Sequence, residues 1–335
     1  MTVRIVVLGV GRIGSMHAEY LHRRVGGAEV VGVFDVFDET AQRVGVDLGV
    51  PIAATLDDAL AIEADAVAIC TSTDTHVDCM VAAAAAGRAV FCEKPVSLDL
   101  AEVDRGLAAV AAAGVPLQIG FNRRFDPSHK AVADAVHGGL IGDVHLVRIT
   151  SRDPAPPPIS YIEVSGGLFN DMSIHDFDMA RYVTASEVVS VYAVGAVRVD
   201  PAIGKAGDID TAVVVLSHEN GAITTIDNSR QAVYGYDQRV EAFGSAGIAQ
   251  SDNVHANQSR RGDRDGMTRP PLQHFFLERY TASYLDQWAA FVDAIERGEA
   301  PPVGGADGRA PLVIGIAAKR SMLEGRPVAI EEITS

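Results

Sequence analysis

Residues 4–14 read RIVVLGVGRIG, a short β-branched run followed directly by glycines spaced as Gly-x-Gly-x-x-Gly. The run Arg4–Leu8 predicts a strand, and the residues after Gly14 predict a helix. Glycines between such elements let the backbone turn tightly and approach a pyrophosphate at the helix N-terminus. The stretch therefore predicts the first turn of a dinucleotide-binding sheet. Its expected cofactor contacts are Gly9, Gly11, Arg12, Ile13 and Gly14.

Asp35 indicates which dinucleotide this turn would bind. It follows the second predicted strand, Val30–Phe34, 21 residues after Gly14. A carboxylate at this point accepts hydrogen bonds from the adenine ribose hydroxyls. The next residues, Val36-Phe37-Asp38, include no arginine for a 2′-phosphate, and Asp35 itself would repel one. NAD is therefore expected rather than NADP, with a glycine turn in a nucleotide-free sheet as the structural alternative.

The strand pattern changes along the chain and predicts two domains. Short strands and helix-length segments alternate from Arg4 to Gly120, as in a parallel sheet covered by helices. From about Asp143 longer strands follow with few helices, as in an open antiparallel sheet with one working face. We expect an α/β Rossmann domain over residues 1–122 and an α+β domain over residues 123–335 with a large, open, mostly antiparallel sheet. Late helices near Tyr280–Ile295 and Pro311–Leu323 would pack back across the domains.

Composition excludes several classes of function. The chain has 335 residues and a formal net charge of -16, which opposes binding to nucleic acid or anionic membranes. Its basic cluster, Arg260, Arg261 and Arg264, is interleaved with aspartates and predicts a solvated loop. The three cysteines show no metal-ligand or disulfide spacing, which suits reduced thiols in the cytoplasm. No metal site, membrane segment or nucleic-acid partner is expected.

Polar residues follow two further strands of the parallel sheet. Thr71-Ser72-Thr73 and His76 follow one strand and would face the cofactor at the carboxyl edge, although such residues also cap helices. Glu93-Lys94-Pro95 follows the next strand, so Lys94 would emerge near the nicotinamide. A lysine there can polarise the reacting oxygen. The structural alternative is an ordinary surface lysine.

Asp171 precedes His175 by four residues in a segment predicted to be helical. Residues four apart project from one helix face, so Asp171 could hold His175 in one tautomer while its other nitrogen takes a substrate proton. Extending the same helix adds Asp178 and Tyr182 to the stripe, which predicts the wall of a polar pocket. A solvated helix face is the alternative.

These motifs together resemble a known family. The glycine turn, Glu93-Lys94-Pro95, the GFNRRF segment at residues 120–125 and the Asp171/His175 pair are similar to the Gfo/Idh/MocA oxidoreductases over nearly the whole chain. Longer strings most resemble the inositol 2-dehydrogenases of that family. These strings lie at residues 165–172, 174–181, 226–230 and 234–239.

The resemblance implies roles for individual residues. His175 would take the hydroxyl proton, Asp171 would orient His175, and Lys94 would bridge the substrate and the nicotinamide ribose. The Lys94–Pro95 peptide would be cis, and Glu93 would lie beside the cofactor. Four further residues are expected to bind substrate hydroxyls: Arg124, Asp153, Asn170 and Tyr234. The alternative is that they only support the structure of the pocket.

The implied reaction is NAD-dependent oxidation of a cyclic polyol, foremost myo-inositol to 2-keto-myo-inositol. Ser151-Arg152-Asp153 and Asn170 differ from residues common in related enzymes, which leaves scyllo-inositol, D-chiro-inositol and glucose-type sugars open as substrates. A non-catalytic NAD(H)-sensing protein is the alternative from another class. The open sheet and the resemblance also imply a homo-oligomer, a dimer or tetramer formed through the C-terminal sheet.

Overall fold

The structure, a computed structural model, describes residues 2–334 and divides them into two units. The first unit contains the residues up to Asn122 together with Ser283–Ala310. The second contains Arg123–Ala282 and the residues from Pro311 onward. The sequence-based division differs in residues 283–310, which it assigns to the second domain.

A parallel sheet organises the first unit. Within the described residues its strands are β1 (Val3–Leu8), β2 (Ala28–Phe34), β3 (Ala66–Ile69), β4 (Ala89–Cys92) and β5 (Leu117–Ile119). They lie in the order β2-β1-β3-β4-β5, and every pairing is parallel. This arrangement confirms the predicted Rossmann domain. Because parallel strands point the same way, the residues after β1, β2, β3 and β4 emerge at the same edge of the sheet.

Helices connect these strands and cover the sheet. They are α1 (Arg12–Arg23), α2 (Asp38–Leu48), α3 (Leu56–Ala61), α4 (His76–Ala85) and α5 (Leu100–Ala113), with a 3₁₀ turn at Thr73–Thr75. Strands β3 and β4 are buried along their whole length, as expected for strands covered on both faces. Trp288, Phe291 and Val292 pack into the same core, which explains why residues 283–310 belong to this unit.

A mixed sheet organises the second unit. Its strands are β6 (Val144–Arg152), β7 (Val188–Ala196), β8 (Thr211–His218), β9 (Ile223–Ser229), β10 (Asp237–Gly244) and β11 (Gly247–Ser251), with β12 (Arg261–Asp263) and β13 (Gly266–Thr268) forming a separate hairpin. A short late strand, β14 (Val328–Ala329), extends the large sheet to the order β11-β10-β6-β9-β8-β7-β14. Within the large sheet, as described over residues 2–334, only the β6–β9 pairing is parallel. The predicted open, mostly antiparallel sheet is confirmed.

Helices lie around this sheet and at the end of the chain. Their bounds are α6 (Pro127–His137), α7 (Ile159–Ile162), α8 (Gly167–Asp171), α9 (Ile174–Thr184), α10 (Pro201–Lys205), α11 (Phe276–Arg279), α12 (Thr281–Arg297), α13 (Gly305–Glu324) and α14 (Glu331–Thr334), with a 3₁₀ turn at Asn122–Phe125. Helix α9 packs over the sheet through Phe177, Ala180 and Val183. This packing buries one face of the sheet and brings the loop between α8 and α9 against strand β9.

The other face of the large sheet carries an apolar row. Ile248 pairs with Phe243, Phe243 with Leu146, and Leu146 with Ile223, so the row crosses four neighbouring strands in register. These side chains are 41–52 % exposed. Inward-facing neighbours such as Val214 are buried, so the strands alternate as the sequence predicts.

Candidate active site

The glycine turn has the geometry that a pyrophosphate site requires. Gly9 has φ +78, and a Cβ there would lie 2.6 Å from the Thr71 backbone. A Cβ on Gly14 would lie 1.9 Å from the Gly9 carbonyl oxygen, so both positions exclude larger residues. A Cβ on Gly11 would meet nothing within 4 Å. The turn is therefore closely packed at Gly9 and Gly14 but open at Gly11, where a ligand can approach the backbone.

Helix α1 adds an anion-binding N-terminus to this turn. Its N-cap, Gly11, provides no side-chain cap, and the first turn contains no acidic residue. The first amides of a helix lack intrahelical partners and carry the positive end of the helix dipole. Backbone amides around Arg12 and Ile13 are therefore suited to a cofactor phosphate.

Asp35 lies beside the same turn. Its Oδ2 accepts a hydrogen bond from the Val10 amide at 2.7 Å, and its Oδ1 accepts one from the Phe37 amide at 2.9 Å. A carboxylate has further lone pairs, so both bonds leave acceptor capacity for ribose hydroxyls. The residues present thus fit an NAD molecule, with Asp35 tying the second strand to the phosphate turn.

The His76 ring contacts the loop after β3 and the loop after β4. The His76 ring is 2 % exposed, with Nδ1 2.8 Å from the Pro95 oxygen and Nε2 3.1 Å from the Thr71 oxygen. Burial lowers the pKa of His76. This residue was expected among the cofactor contacts, but its ring nitrogens face backbone carbonyls, so its observed position is that of a tie between two loops. Cofactor roles for Thr71, Ser72 and Thr73 stay predictions.

Lys94 follows β4 at the carboxyl edge of the sheet. The Lys94–Pro95 peptide is cis, which confirms the expectation from the family resemblance. The Lys94 amide donates to Oε2 of Glu93 at 3.1 Å, and Glu93 is buried whereas Lys94 is half-buried. The hydrogen bond to Glu93 thus fixes the backbone from which the Lys94 side chain extends.

In the second unit, Asp171 and His175 lie on two helices instead of one. Helix α8 ends at Asp171, and α9 begins at Ile174. Between them, the Ser173 amide bonds to the Leu168 oxygen at 2.9 Å, and the Ser173 hydroxyl donates to Asn228 Oδ1 at 2.6 Å. The tertiary bond to Asn228 holds the interruption, so the predicted continuous helical stripe is wrong.

Asp171 is held by residues that the helix pattern did not reveal. Its Oδ1 accepts from the Tyr161 hydroxyl at 2.9 Å, and its Oδ2 lies 3.3 Å from Nη1 of Arg230. The Arg230 side chain is 1 % exposed and also reaches Asp208 at 3.4 Å. Arg230 lies in the string at residues 226–230 that carries part of the family resemblance, and this membership was the sequence signal that could have identified Arg230 as a site residue. Tyr161 gave no such signal.

A buried polar network supports this region. Arg123 Nη1 lies 2.7 Å from Asp176 Oδ1, and Asp176 Oδ2 accepts from Asn228 Nδ2 at 2.8 Å. Burial raises the pKa of Asp153 to about 6, the charges of Asp171 and Asp176 raise it as well, and Arg123 and Arg230 oppose them. Three carboxylates and two guanidinium groups therefore share one neighbourhood, and the charge of Arg123, adjacent to the predicted Arg124, lowers the pKa of Asp153 more than that of Arg230 does.

Three other predicted substrate contacts have partners within the second unit. Arg124 bonds to both carboxylate oxygens of Asp178, at 2.8 and 2.6 Å, and its guanidinium lies over the Tyr182 ring at 5.2 Å. Asp178 is 1 % exposed, so the predicted pocket wall of Asp178 and Tyr182 is instead a packed ion pair. The substrate role of Arg124 stays a prediction.

The side chains of Asn170 and Tyr234 also contact other residues of the second unit. A Cβ added at Gly315 would lie 2.2 Å from Asn170 Oδ1, so the buried Asn170 amide packs against helix α13. The Tyr234 hydroxyl donates to Asp237 at 2.6 Å and accepts from Arg152 at 2.9 Å. Tyr234 thus has two hydrogen-bond partners, whereas Asn170 Oδ1 is buried without one among residues 2–334, and substrate binding by either residue stays a prediction.

Comparison with known proteins assigns the family. A model described as an oxidoreductase family with an NAD-binding Rossmann fold matches residues 3–121, and the GFO/IDH/MocA C-terminal domain matches residues 129–250. The chain belongs to the Gfo/Idh/MocA oxidoreductases. Its first unit is accordingly an NAD-binding Rossmann domain, as the sequence predicts.

Individual members of this family are similar along the whole chain. The myo-inositol 2-dehydrogenase of Thermotoga maritima is 50 % identical over 334 residues, covering 99 % of each chain. The inositol 2-dehydrogenase of Rhizobium meliloti is 46 % identical, covering 98 % of this chain and 100 % of that protein. The crystal structure of a probable dehydrogenase from Thermotoga maritima superposes with a TM-score of 0.97 at 49 % identity, covering 99 % and 100 %.

Among residues 2–334, no group of three or more His, Cys, Asp or Glu side chains is arranged to hold a metal ion. Over the same range, no helix combines the length and apolar character needed to cross a bilayer.

Proposed function

We propose that this protein oxidises myo-inositol to 2-keto-myo-inositol with NAD. The observation that carries the proposal is the polar neighbourhood of Asp153, Asp171, Arg123 and Arg230 in the second unit of a chain whose first unit binds NAD. The 50 % identity to a myo-inositol 2-dehydrogenase supports the choice of substrate. A neutral polyol presents both donors and acceptors, which suits a neighbourhood of mixed charge.

In the proposed reaction the alcohol loses a proton and a hydride. His175 takes the hydroxyl proton as the general base, and Asp171, itself fixed by Tyr161 and Arg230, orients the imidazole. Lys94 stabilises negative charge on the oxygen as the carbon–oxygen double bond forms. Bound NAD supplies the acceptor for the hydride from the same carbon.

Stereochemical selection follows from hydrogen-bond satisfaction. Asp153 provides acceptors, and Arg123 provides donors in a fixed geometry. An epimer that leaves one buried donor or acceptor unpaired loses about 1–3 kcal/mol, which is about fivefold to 150-fold in rate. The proposed enzyme therefore distinguishes myo-inositol from scyllo-inositol by hydroxyl orientation rather than by charge.

A polyol panel tests the proposal directly. Purified protein is assayed at the NADH absorbance with myo-inositol, scyllo-inositol, D-chiro-inositol and glucose, each with NAD and with NADP. We expect the highest kcat/KM with myo-inositol and NAD. A higher value with another polyol would overturn the substrate, and tight NADH binding without any oxidation would identify a sensing protein instead.

A pair of histidine variants tests the general base. His175→Ala is expected to lower kcat by about two to four orders of magnitude at neutral pH, with partial recovery at high pH where hydroxide replaces the base. His22→Ala is the matched control because His22 is exposed on α1 of the first unit. Turnover by His175→Ala close to that of His22→Ala at neutral pH would contradict the assigned role.

We further propose that the protein is a cytoplasmic homo-oligomer, a dimer or tetramer assembled through the apolar row on the large sheet. Exposed Phe243 lies within this row, and an apolar strip across four strands is more stable when a second copy covers it. Phe243→Asp should reduce the mass measured by sedimentation, whereas Val46→Asp, at a residue 73 % exposed on α2, should not. A wild-type monomer would refute the assembly. The cytoplasmic assignment is supported by three buried free cysteines.

A further inference from the structure

The carboxylate of Glu93 is fixed on several sides within the first unit. Its Oε1 lies 2.8 Å from Nε2 of His17, and its Oε2 accepts from the Lys94 amide at 3.1 Å. A Cβ at Gly120 would lie 3.0 Å from the same carboxylate, so the group packs against the end of β5. Any displacement of Glu93 would therefore be passed to the backbone that carries Lys94.

His17 is in turn fixed by Trp288. The indole Nε1 of Trp288 lies 2.8 Å from Nδ1 of His17. An indole nitrogen can only donate, so Nδ1 of His17 must be the acceptor. The proton of the neutral imidazole then resides on Nε2 and is donated to Glu93. Trp288 thus selects the His17 tautomer that can hold Glu93.

The histidine ring also has no room to turn. His17 and Trp288 are both 0 % exposed. The His17 ring makes edge contacts with Phe91 at 5.6 Å and with Tyr284 at 5.4 Å. Inside this aromatic cluster the hydrogen bonds run from Trp288 through His17 into the Glu93 carboxylate, which also accepts from the Lys94 amide.

We propose that His17 is a positioning residue for Lys94, acting through Glu93 in the tautomer that Trp288 selects. His76 holds the other side of the same segment through the Pro95 oxygen at 2.8 Å. The role of Lys94 in turnover rests on the proposed function, whereas the mechanical coupling of His17 to Lys94 does not. The two can therefore be tested separately.

Kinetics of four variants test the effect on turnover. His17→Leu removes the donor, His17→Gln keeps a donor near the position of Nε2, and Trp288→Phe removes the indole donor together with part of a buried ring. Phe291→Leu is the matched control, because Phe291 packs on Trp288 at 5.8 Å and takes no part in the polar chain. We expect His17→Leu and Trp288→Phe to lower kcat about tenfold to a hundredfold with KM changed less than about threefold, since small misplacements of a reacting group have costs of this size. His17→Gln should recover most of the loss.

Lysine reactivity tests the coupling without any turnover. The chain has four lysines, Lys94, Lys130, Lys205 and Lys319, so competitive acylation followed by mass spectrometry can compare Lys94 with the exposed Lys205 in one sample. We expect the Lys94-to-Lys205 ratio to change in His17→Leu and Trp288→Phe, and to stay at the wild-type value in His17→Gln and Phe291→Leu.

The outcomes separate the two proposals. If the wild type oxidises no polyol but the reactivity ratio responds to His17→Leu or Trp288→Phe, the proposed function fails and the coupling stands. An unchanged ratio in the folded Trp288→Phe protein, or a kcat loss in all four variants that only follows their loss of stability, would overturn the positioning role. Should His17→Leu fail to fold, Trp288→Phe and His17→Gln still decide the question.

Discussion

Asp153→Asn is expected to stabilise the protein at neutral pH while lowering its activity. Burial raises the pKa of Asp153 from 3.8 to about 6, so the folded protein binds this proton more tightly than the unfolded chain does. The stabilising contribution of the protonated carboxyl is therefore complete below about pH 4 and is lost as the pH rises through about 6. Asparagine has no proton to lose and avoids this loss.

The size of the effect follows from the pKa shift. A shift of about two pKa units corresponds to about 3 kcal/mol, at about 1.4 kcal/mol per unit. The free energy of unfolding of Asp153→Asn, relative to wild type, should therefore rise by about 3 kcal/mol between about pH 4 and pH 7. For a unit of this size that corresponds to about 6–12 °C in Tm.

Unfolding and kinetic measurements on the same proteins check this prediction. Urea and thermal unfolding are followed at several pH values from about 4.5 to 7.5, and kcat/KM is measured with myo-inositol. We expect kcat/KM to fall about tenfold or more, because under the proposed function Asp153 accepts a hydrogen bond from a substrate hydroxyl, and asparagine lacks its charge. Asp265→Asn is the control, since its side chain is 84 % exposed on the β12–β13 hairpin. A stability difference between Asp153→Asn and wild type that does not vary with pH would refute the reasoning.

Three further substitutions have defined outcomes. Gly14→Ala should weaken NAD binding about a hundredfold, measured by NADH fluorescence titration, because its Cβ overlaps the Gly9 carbonyl; unchanged affinity would contradict the turn geometry. Asp35→Ala should weaken NAD binding about tenfold and reduce the ratio of NAD affinity to NADP affinity, both measured by calorimetry. An unaltered ratio would contradict the ribose-binding role of Asp35. Asp176→Asn should lower the free energy of unfolding, measured in urea, by about 3 kcal/mol because it leaves Arg123 without its nearest counter-charge. An unchanged free energy of unfolding would refute that pairing.

The sequence was most informative where local pattern and tertiary structure agree. Strand β4 ends at Cys92, directly before Glu93-Lys94-Pro95 as predicted, and the glycine turn has the expected strand before it and helix after it. Fully buried parallel strands need apolar runs, and turns with positive φ need glycine, so both leave signals in a few adjacent residues. The nucleotide end could therefore be predicted in detail.

The sequence predicts that late helices pack back on the N-terminal domain, but it does not give the bounds of residues 283–310 or the side chains that attach them to the first unit. Helix α12 has an ordinary amphipathic pattern, and its role in the first unit depends on Trp288, which bonds to His17 across 271 residues of sequence. Helical periodicity shows that one face is buried but carries no information on which core receives it. Similarly, adjacent Arg123 and Arg124 are indistinguishable in sequence, although one pairs with Asp176 and the other with Asp178.

The Asp171 and His175 pair shows how a sequence spacing can predict the wrong local geometry. Spacing of four selects chemically plausible partners, but helix α8 stops at Asp171 because Ser173 bonds to Asn228. Asn228 and Arg230 lie two residues apart, at the end of β9 and just beyond it, and both point to the buried side of the sheet. A one-residue slip of β9 would turn both outward and remove the supports of Ser173 and Asp171 together. Strand register in the large sheet therefore sets the supports of Asp171, the proposed orienting carboxylate, and of Ser173 at the start of α9, which spacing along one helix could not show.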